Sequence, residues 1–447
     1  MNQTETIRAI ARQVHALGGR ALLVGGCVRD GILGIPCYDI DCEVHGVAPD
    51  MLRKLLGGFG EIDESGAEYG IYTIRDAGLD IALPRKETRT GPGHKDFAVT
   101  VDPDLSPEAA AARRDFTVNA IMRDALTGEY VDPFGGMEDL QNGILRAVPG
   151  GQFEEDPLRV LRGAQFAARF HLTPEEGTIE SMRCMPAENL TAARVLAETK
   201  KALLMAARPS VFFGILEQAG ALEPWFKELS ALRKAPQNPV YHPEGDAFEH
   251  TMMVLDAAAE IRDRMHDPLA FMLAALTHDL GKAVSTKKND KGAWASIGHE
   301  HTGIPLCADM LTRLGVSKQV IAYVQNMCAL HMRVHTCYYG KARISRTNLL
   351  FDESINPREL GWLVVCDSRG TGKPRGQADK EEAFIFDRIA AYERVIASGM
   401  PDAKQLMALG VEAGPEMKQA IAMARELVLC GRNQDDAARE AAKKYRK

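Results

Sequence analysis

Two carboxylates stand one residue apart, Asp39 and Asp41 in YDIDCEV, shortly after a strand-like run that ends on Gly25-Gly26 in LLVGGCVRDGILG. Side chains in a strand repeat every second residue, so Asp39 and Asp41 are expected on one face. Adjacent carboxylates repel unless a cation lies between them, and two Mg2+ ions roughly 4 Å apart are the usual arrangement for phosphoryl or nucleotidyl transfer. Gly25 and Gly26 let a phosphate approach backbone N–H groups where a helix is expected to start near Val28, and Arg29 can supply charge to the same anion. Asp80 alternates with Leu79 and Ile81 in LDIAL, so it offers a third carboxylate, although an edge or turn acid fits equally well. Beyond it, PRKETRTGPGHKDF sets Arg85, Lys86, Arg89 and Lys95 against Glu87 and Asp96 between Gly and Pro, which reads as a basic loop near the site.

A second set lies downstream. His250, His278-Asp279 and Asp367 follow the order H…HD…D, the metal-binding pattern of HD phosphohydrolases. Imidazole and carboxylate suit Mn2+, Fe2+, Ni2+, Co2+ or Mg2+, and a coordinated water can attack a phosphoester. His299, His301 and His331 are candidates for a second metal, with His301 and His331 the better pair by local context. His266-Asp267, followed by Pro268, has no companion ligands and reads as a turn between helices. A third pair, Asp156 and Arg159 in EEDPLRVLR, is three residues apart on an expected helix and so shares one face. A carboxylate accepts from the exocyclic amine of cytosine or adenine while a guanidinium donates to the neighbouring ring nitrogen. Guanine and uracil would oppose like groups.

These residues need positioning elements. ALLVGG, DIDCEVHG, GIYTIRD, LDIAL and FAVTVD are strand-like and separated by turn residues. From Asp156 to about Phe226 the apolar spacing becomes helical, RKAPQNPVYHPEGD interrupts it with three prolines, and AFEHTMMVLDAAAEIRD, PLAFMLAALTHDLGK and TGIPLCADMLTRLGV read as successive helices. The expectation is an α+β chain: a head with a small mixed sheet over 1–145, a helical body over 146–235, an all-α module over 236–395 and a helical tail over 396–447. With 447 residues, 45% hydrophobic and 26% charged, disorder and collagen are excluded. The net charge of -7 does not exclude a nucleic-acid partner, because phosphate affinity follows local Lys and Arg clusters. Nine scattered cysteines without a Cys-x-x-Cys pair suit reduced thiols, and no run is long enough to span a membrane. Together these point to the cytoplasm, with no membrane partner.

LVGGCVRDGILG…YDID, ARRDFTVNA (112–120), VDPFGG (131–136) and EEDPLRVLR (154–162) recur in an order that resembles the class II tRNA nucleotidyltransferases, the CCA-adding enzymes, whose polymerase-β-like head is shared with bacterial poly(A) polymerases. The downstream module is similar to that of the long bacterial form, with its fused HD phosphohydrolase domain. The resemblance implies template-independent addition of CCA to tRNA from CTP and ATP, with Mg2+ at Asp39 and Asp41. It places triphosphate and ribose contacts on Arg114, Asp115 and Asn119, and a protein template for the base on Asp156, Arg159 and Arg162. It also implies hydrolysis of phosphomonoesters or 2',3'-cyclic phosphates, and a monomer or homodimer. In TAARVLAETKKAL the family usually has Glu-Arg where Ala193 precedes Arg194. A poly(A) polymerase, a partial CC- or A-adding enzyme, and an inactive RNA-binding protein are the rival readings. The loop after Asp80 favours complete CCA addition, since CC-adding relatives lack it.

Overall fold

A computed structural model describes residues 2–37, 39–89, 97–150, 153–372 and 375–446. The chain forms two compact units, Met1–Thr191 with Gly214–Ala221, and Ala192–Phe213 with Leu222–Lys447.

The first unit opens with the helix Gln3–Ala16, whose Asn2 cap and Glu5 form a reciprocal capping box that satisfies two otherwise orphaned N–H groups. Strands β1 (Arg20–Val24), β2 (Asp41–His45), β3 (Ile62–Asp63), β4 (Ile71–Ile74) and β5 (Leu79–Ala82) follow. A separate ribbon, β6 (Arg85–Arg89) with β7 (Phe97–Val101), comes next, then β8 (Met122–Asp124) and β9 (Tyr130–Val131). Seven of these strands make one sheet in the order β3-β4-β5-β2-β1-β8-β9. The β2–β5 pair is parallel and its neighbours are antiparallel, which makes the sheet mixed as expected. Period-2 alternation decides the faces: Leu79 and Ile81 are buried with Ile10, Val14, Val44 and Leu52, while Asp80 between them is exposed.

Three expectations need correction. Asp39 does not lie in a strand, because β2 begins at Asp41. The reason is β1, which ends at Val24 and turns away through Gly25 at φ 72°, so nothing stands opposite Asp39 to continue the ladder. The following helix spans Gly26–Ile32 and so starts before Val28. Asp156 precedes the helix Leu158–Phe170, so it does not share a helix face with Arg159. The basic loop falls partly outside the described residues: Lys95, Asp96 and the side chains of Glu87 and Arg89 are not described, whereas Lys86 pairs with Asp102 at 2.7 Å.

The second unit is helical apart from a two-stranded ribbon, Lys287–Lys288 with Trp294–Ala295. Its centre is the helix Pro268–Thr277, buried from Ala270 onward because it is apolar on every side. Each fully buried Leu there contributes about 1.5–3 kcal/mol from removal of apolar surface. Around it pack Ala247–Ala259, Lys318–Tyr339 and Pro357–Arg369. His266-Asp267 is the turn foreseen, with Asp267 Oδ1 accepting from the Ala270 N–H at the helix start. Three short helices, Ala403–Ala408, Pro415–Leu429 and Gln434–Tyr445, close a small core of their own at the C-terminal end. All nine cysteines are free thiols, and no helix of the described residues is long and apolar enough to cross a membrane.

Candidate functional site

In the first unit the parallel register of β2 and β5 sets Asp41 directly beside Asp80. Thr73 Oγ1 donates to Asp80 Oδ1 at 2.5 Å and steadies it. Asp41 is exposed, yet the protein around it partly desolvates it and raises its pKa, and Asp39 and then Asp80 add to the rise against the opposing Arg114. Asp39 therefore joins the other two electrostatically although it lies outside the strand. Three carboxylates gathered at one strand end fit a divalent cation, whose charge would relieve their repulsion. Gly25 closes the site from the side: a Cβ there would come 3.2 Å from Arg114 Nη1 and 3.8 Å from Asp41 Oδ2, and its positive φ disfavours any other residue.

Beneath Asp41 on the same strand face, Glu43 was missed by sequence reasoning, although the pattern Asp39-x-Asp41-x-Glu43-x-His45 continues with period 2. It is 2% exposed and bonded to His45 Nε2 at 3.1 Å, with Arg113 Nη2 at 3.4 Å. Burial would raise its pKa, but His45, Arg114 and Arg113 hold it below the ordinary value.

The remaining motif residues form one chain of hydrogen bonds. Arg29 donates to Asp30 and, at 2.5 Å, to Asn119 Oδ1, and lies over the rings of Phe166 and Phe170. Asn119 Nδ2 donates to Asp115 Oδ1 at 2.9 Å, and Arg162 Nε donates to Asp115 Oδ2 at 2.7 Å. Burial would raise Asp115, but Arg162 and Asn119 outweigh it and keep the carboxylate ionised. Arg29, Asp115 and Asn119 thus occupy one another as a framework that aims Arg162, while Arg114 is the member beside Asp41. Asp156 accepts the Leu158 N–H at 3.0 Å, and its carbonyl accepts the Arg159 N–H at 2.9 Å. The turn, not a helix face, brings the two side chains together. Arg159 Nη2 donates to the Arg113 carbonyl at 2.8 Å. In VDPFGG, Asp132 accepts the N–H groups of Gly136 and Met137, a structural use.

In the second unit His250, His278, Asp279 and Asp367 converge from two helices, Ala247–Ala259 and Pro357–Arg369, and from the turn that follows a third, Pro268–Thr277. His250 Nε2 lies 2.9 Å from Asp367 Oδ1 and 3.5 Å from Asp279 Oδ2, and His278 Nε2 lies 3.3 Å from Asp279 Oδ2. Gly281 permits this packing, since a Cβ there would meet the His299 carbonyl oxygen at 2.0 Å. His278, His299 and His331 each donate Nδ1–H to the backbone carbonyl three residues earlier, at Ala275, Ser296 and Cys328. That fixes the tautomer and turns each Nε2 lone pair inward. His278 Nε2 is buried with no hydrogen-bond partner, and His299 Nε2 faces His331 Nε2 at 3.3 Å. Two groups, His250-His278-Asp279 and Asp279-His299-His331, have their ligand atoms within 4.8 Å of one another. Inward lone pairs around shared Asp279 fit two divalent metals.

The second group corrects the expected pair. His299 takes the place assigned to His301, whose side chain is 71% exposed and lies 3.7 Å from Glu300 Oε1. Residues two apart on a helix point about 200° apart, so His299 and His301 cannot both face inward. Other residues were missed. Glu244, in the stretch expected to be a linker, holds His250 Nδ1 at 2.9 Å. His335 bridges Asp367 Oδ2 at 2.9 Å and Glu381 Oε1 at 2.8 Å; burial would lower its pKa, but the two carboxylates raise it to about 10. Its spacing of four from His331 on one helix was the available signal. Lys282 Nζ lies 2.5 Å from Asp279 Oδ2.

Residues 21–146 match the family model described as Poly A polymerase head domain, and residues 247–389 match HD domain. A multifunctional CCA protein of Xanthomonas campestris pv. campestris (strain B100) is 35% identical over 90% of this chain and 96% of its own length. One from Actinobacillus pleuropneumoniae serotype 5b (strain L20) is 37% identical over 84% and 92%. Among solved structures, an apo form of a CCA-adding enzyme superposes with a TM-score of 0.68 at 18% identity, covering 99% of this chain and 95% of that one. The Thermotoga maritima CCA-adding enzyme complexed with tRNA superposes with 0.63 at 18%, covering 98% and 95%. These likenesses extend the fold to the whole chain, and with relatives above 30% identity along nearly all of both sequences, the carboxylate site of the first unit and the histidine site of the second place this chain in the multifunctional CCA protein family.

Proposed function

We propose that the chain adds and repairs the 3'-terminal CCA of tRNA, using CTP and ATP without a nucleic-acid template, and that its second unit hydrolyses phosphomonoesters or 2',3'-cyclic phosphates. The observation that carries the first activity is the Asp41–Asp80 register beside Asp39 and Arg114. Asp39, Asp41 and Asp80 would hold Mg2+, which would supply the charge that activates a tRNA 3'-hydroxyl and neutralises an α-phosphate. Arg114 stands at the Gly25-Gly26 turn to meet the triphosphate. Asp156 accepts from the exocyclic amine of C or A and Arg159 donates to the ring nitrogen, with Arg162 held alongside by Asp115. The second site takes Ni2+, Mn2+, Co2+, Fe2+ or Mg2+ on His250, His278, Asp279 and Asp367, and a second ion on Asp279, His299 and His331. The proposed division is a head over 1–145, a selecting and tRNA-binding body over 146–235, the HD module over 236–395 and a tail over 396–447, in a cytoplasmic monomer or homodimer.

The match to a poly(A) polymerase head keeps one rival in view. Incubating the protein with tRNA that ends at the discriminator base, supplying each labelled nucleotide separately and together, tests both readings. Addition that stops after C, C and A supports the proposal. A long A tract replaces it with a poly(A) polymerase, and a stop after CC with a partial CC-adding enzyme.

A further inference from the structure

The second unit's site opens into a cleft of about 1120 Å3. This is as large as or larger than the roughly 300–1,000 Å3 that houses a complete small ligand, and far more than a phosphate needs. Asp279, His299 and Asp367 line it together with Tyr241, Trp294 and Tyr339. Tyr241 is 59% exposed, Tyr339 61% and Trp294 36%, so aromatic surface is gathered at the cleft that holds the candidate metal ligands. Concentrated exposed apolar surface of this kind marks a recognition site.

We infer that the outer part of this cleft is a nucleobase-stacking subsite for the 3'-terminal nucleotides of an RNA strand, with Trp294 and Tyr339 as the stacking faces. The inference rests on the phosphohydrolase reading of the same site. Charge identifies the occupant. In the ribbon Lys288 pairs with Trp294, and its Nζ lies 5.2 Å from the indole centroid, so a cation and a π-face are presented together. Lys282 adds a second cation deeper in the cleft, beside Asp279. A ligand that alternates flat rings with phosphates matches that layout, whereas a purely apolar ligand offers no anion to the Lys288 ammonium; Lys282 is already paired with Asp279. Stacking tolerates any base, because every base has a π-face, and is lost on truncation of the aromatic side chain.

The full-length protein loaded with Mn2+ is assayed on a diadenosine ending in a 2',3'-cyclic phosphate and on 1-O-methylribose 2',3'-cyclic phosphate, which has no base. Trp294→Ala is expected to lower kcat/KM for the dinucleotide relative to the base-free ester by about 10-fold, mostly through KM, with Tyr339→Ala acting in the same direction and Trp294→Phe restoring most of the loss. A readout without turnover uses the fluorescence of the chain's 3 tryptophans, Trp225, Trp294 and Trp362, all in the second unit. In chelator, titration with diadenosine 3'-phosphate quenches the wild type and not Trp294→Phe. An unchanged substrate ratio in both alanine variants, with quenching that survives Trp294→Phe, overturns the subsite and leaves the phosphohydrolase reading standing. If the wild type hydrolyses neither ester, that reading falls and the subsite falls with it.

Discussion

In the first unit Asp39 and Asp80 are exposed and Asp41 is set by strand register, whereas in the second unit Asp279 and Asp367 are buried and gripped by imidazoles that backbone carbonyls or other carboxylates orient. Both clusters gather negative charge for a cation, but only the second does so away from water. A buried charge is tolerated when it is paired, so each imidazole there supports the fold as well as the chemistry. An exposed carboxylate is hydrated and adds little to stability, and a cluster of them stores repulsion that only metal and substrate relieve. The carboxylates of the first site stand open to solvent, whereas the buried ones of the second lie at the base of a wide cleft.

Substitutions can break this contrast. Asp41→Ala is expected to cut nucleotide addition by about 10^3-fold or more, through loss of several kcal/mol of metal-borne charge stabilisation, without destabilising the head. Incorporation of labelled CTP and a urea melt measure both, and near-normal incorporation would remove the carboxylate site from the reaction. His278→Ala should cost the hydrolysis of a chromogenic phosphodiester at least about 100-fold, from loss of a direct metal ligand, and leave CCA addition within a few-fold. A folded variant that loses CCA addition contradicts two independent centres. Between His299 and His301 the geometry is decisive: His299→Ala should weaken Mn2+ binding by about 10–100-fold in calorimetry, and His301→Ala by less than twofold. Equal effects would return His301 to the ligand set.

Smaller effects sharpen the contrast within the head. Arg159→Ala is expected to reduce the preference for CTP over UTP by about 10-fold, the scale of one hydrogen bond to a charged group, as read from incorporation at limiting nucleotide. Unchanged preference would leave base choice to other residues. Asp115→Asn should cost about 1–3 kcal/mol in a urea melt, by weakening the hold on Arg162. The Asp115 pKa is lowered on folding, so its stabilisation is present above the unfolded value near ~3.9 and is lost as pH falls through the folded value. The gap between wild type and variant should therefore close in acid; a gap independent of pH would trace the loss to packing.

The strands around Asp41 and Asp80 and the helices around His278 were legible because period 2 and the helical period recur over enough residues to register. Asp39 and Asp156 were misplaced at element boundaries, where a turn at Gly25 and the bond from the Leu158 N–H to the Asp156 side chain outweigh local pattern. His301 was preferred to His299 on its neighbours alone, while the decision belonged to the direction in which helix His299–Arg313 presents each residue. Glu244 was hidden in a proline-rich stretch that reads as a linker and in fact seats His250.

Residue chemistry and order were enough to establish the α+β character of the chain and its resemblance to CCA-adding enzymes with an HD domain, and to single out the carboxylates and histidines proposed as metal ligands, because short motifs carry their meaning in type and spacing. Tertiary structure alone decided which histidine faces inward, that Asp80 stands beside Asp41, that Glu381 reaches Asp367 through His335, and that aromatic side chains gather at the cleft beside the histidine cluster. Each of those depends on packing between elements distant in the chain, where strand register and helix rotation, neither of them encoded by any one local segment, bring side chains within a few ångströms.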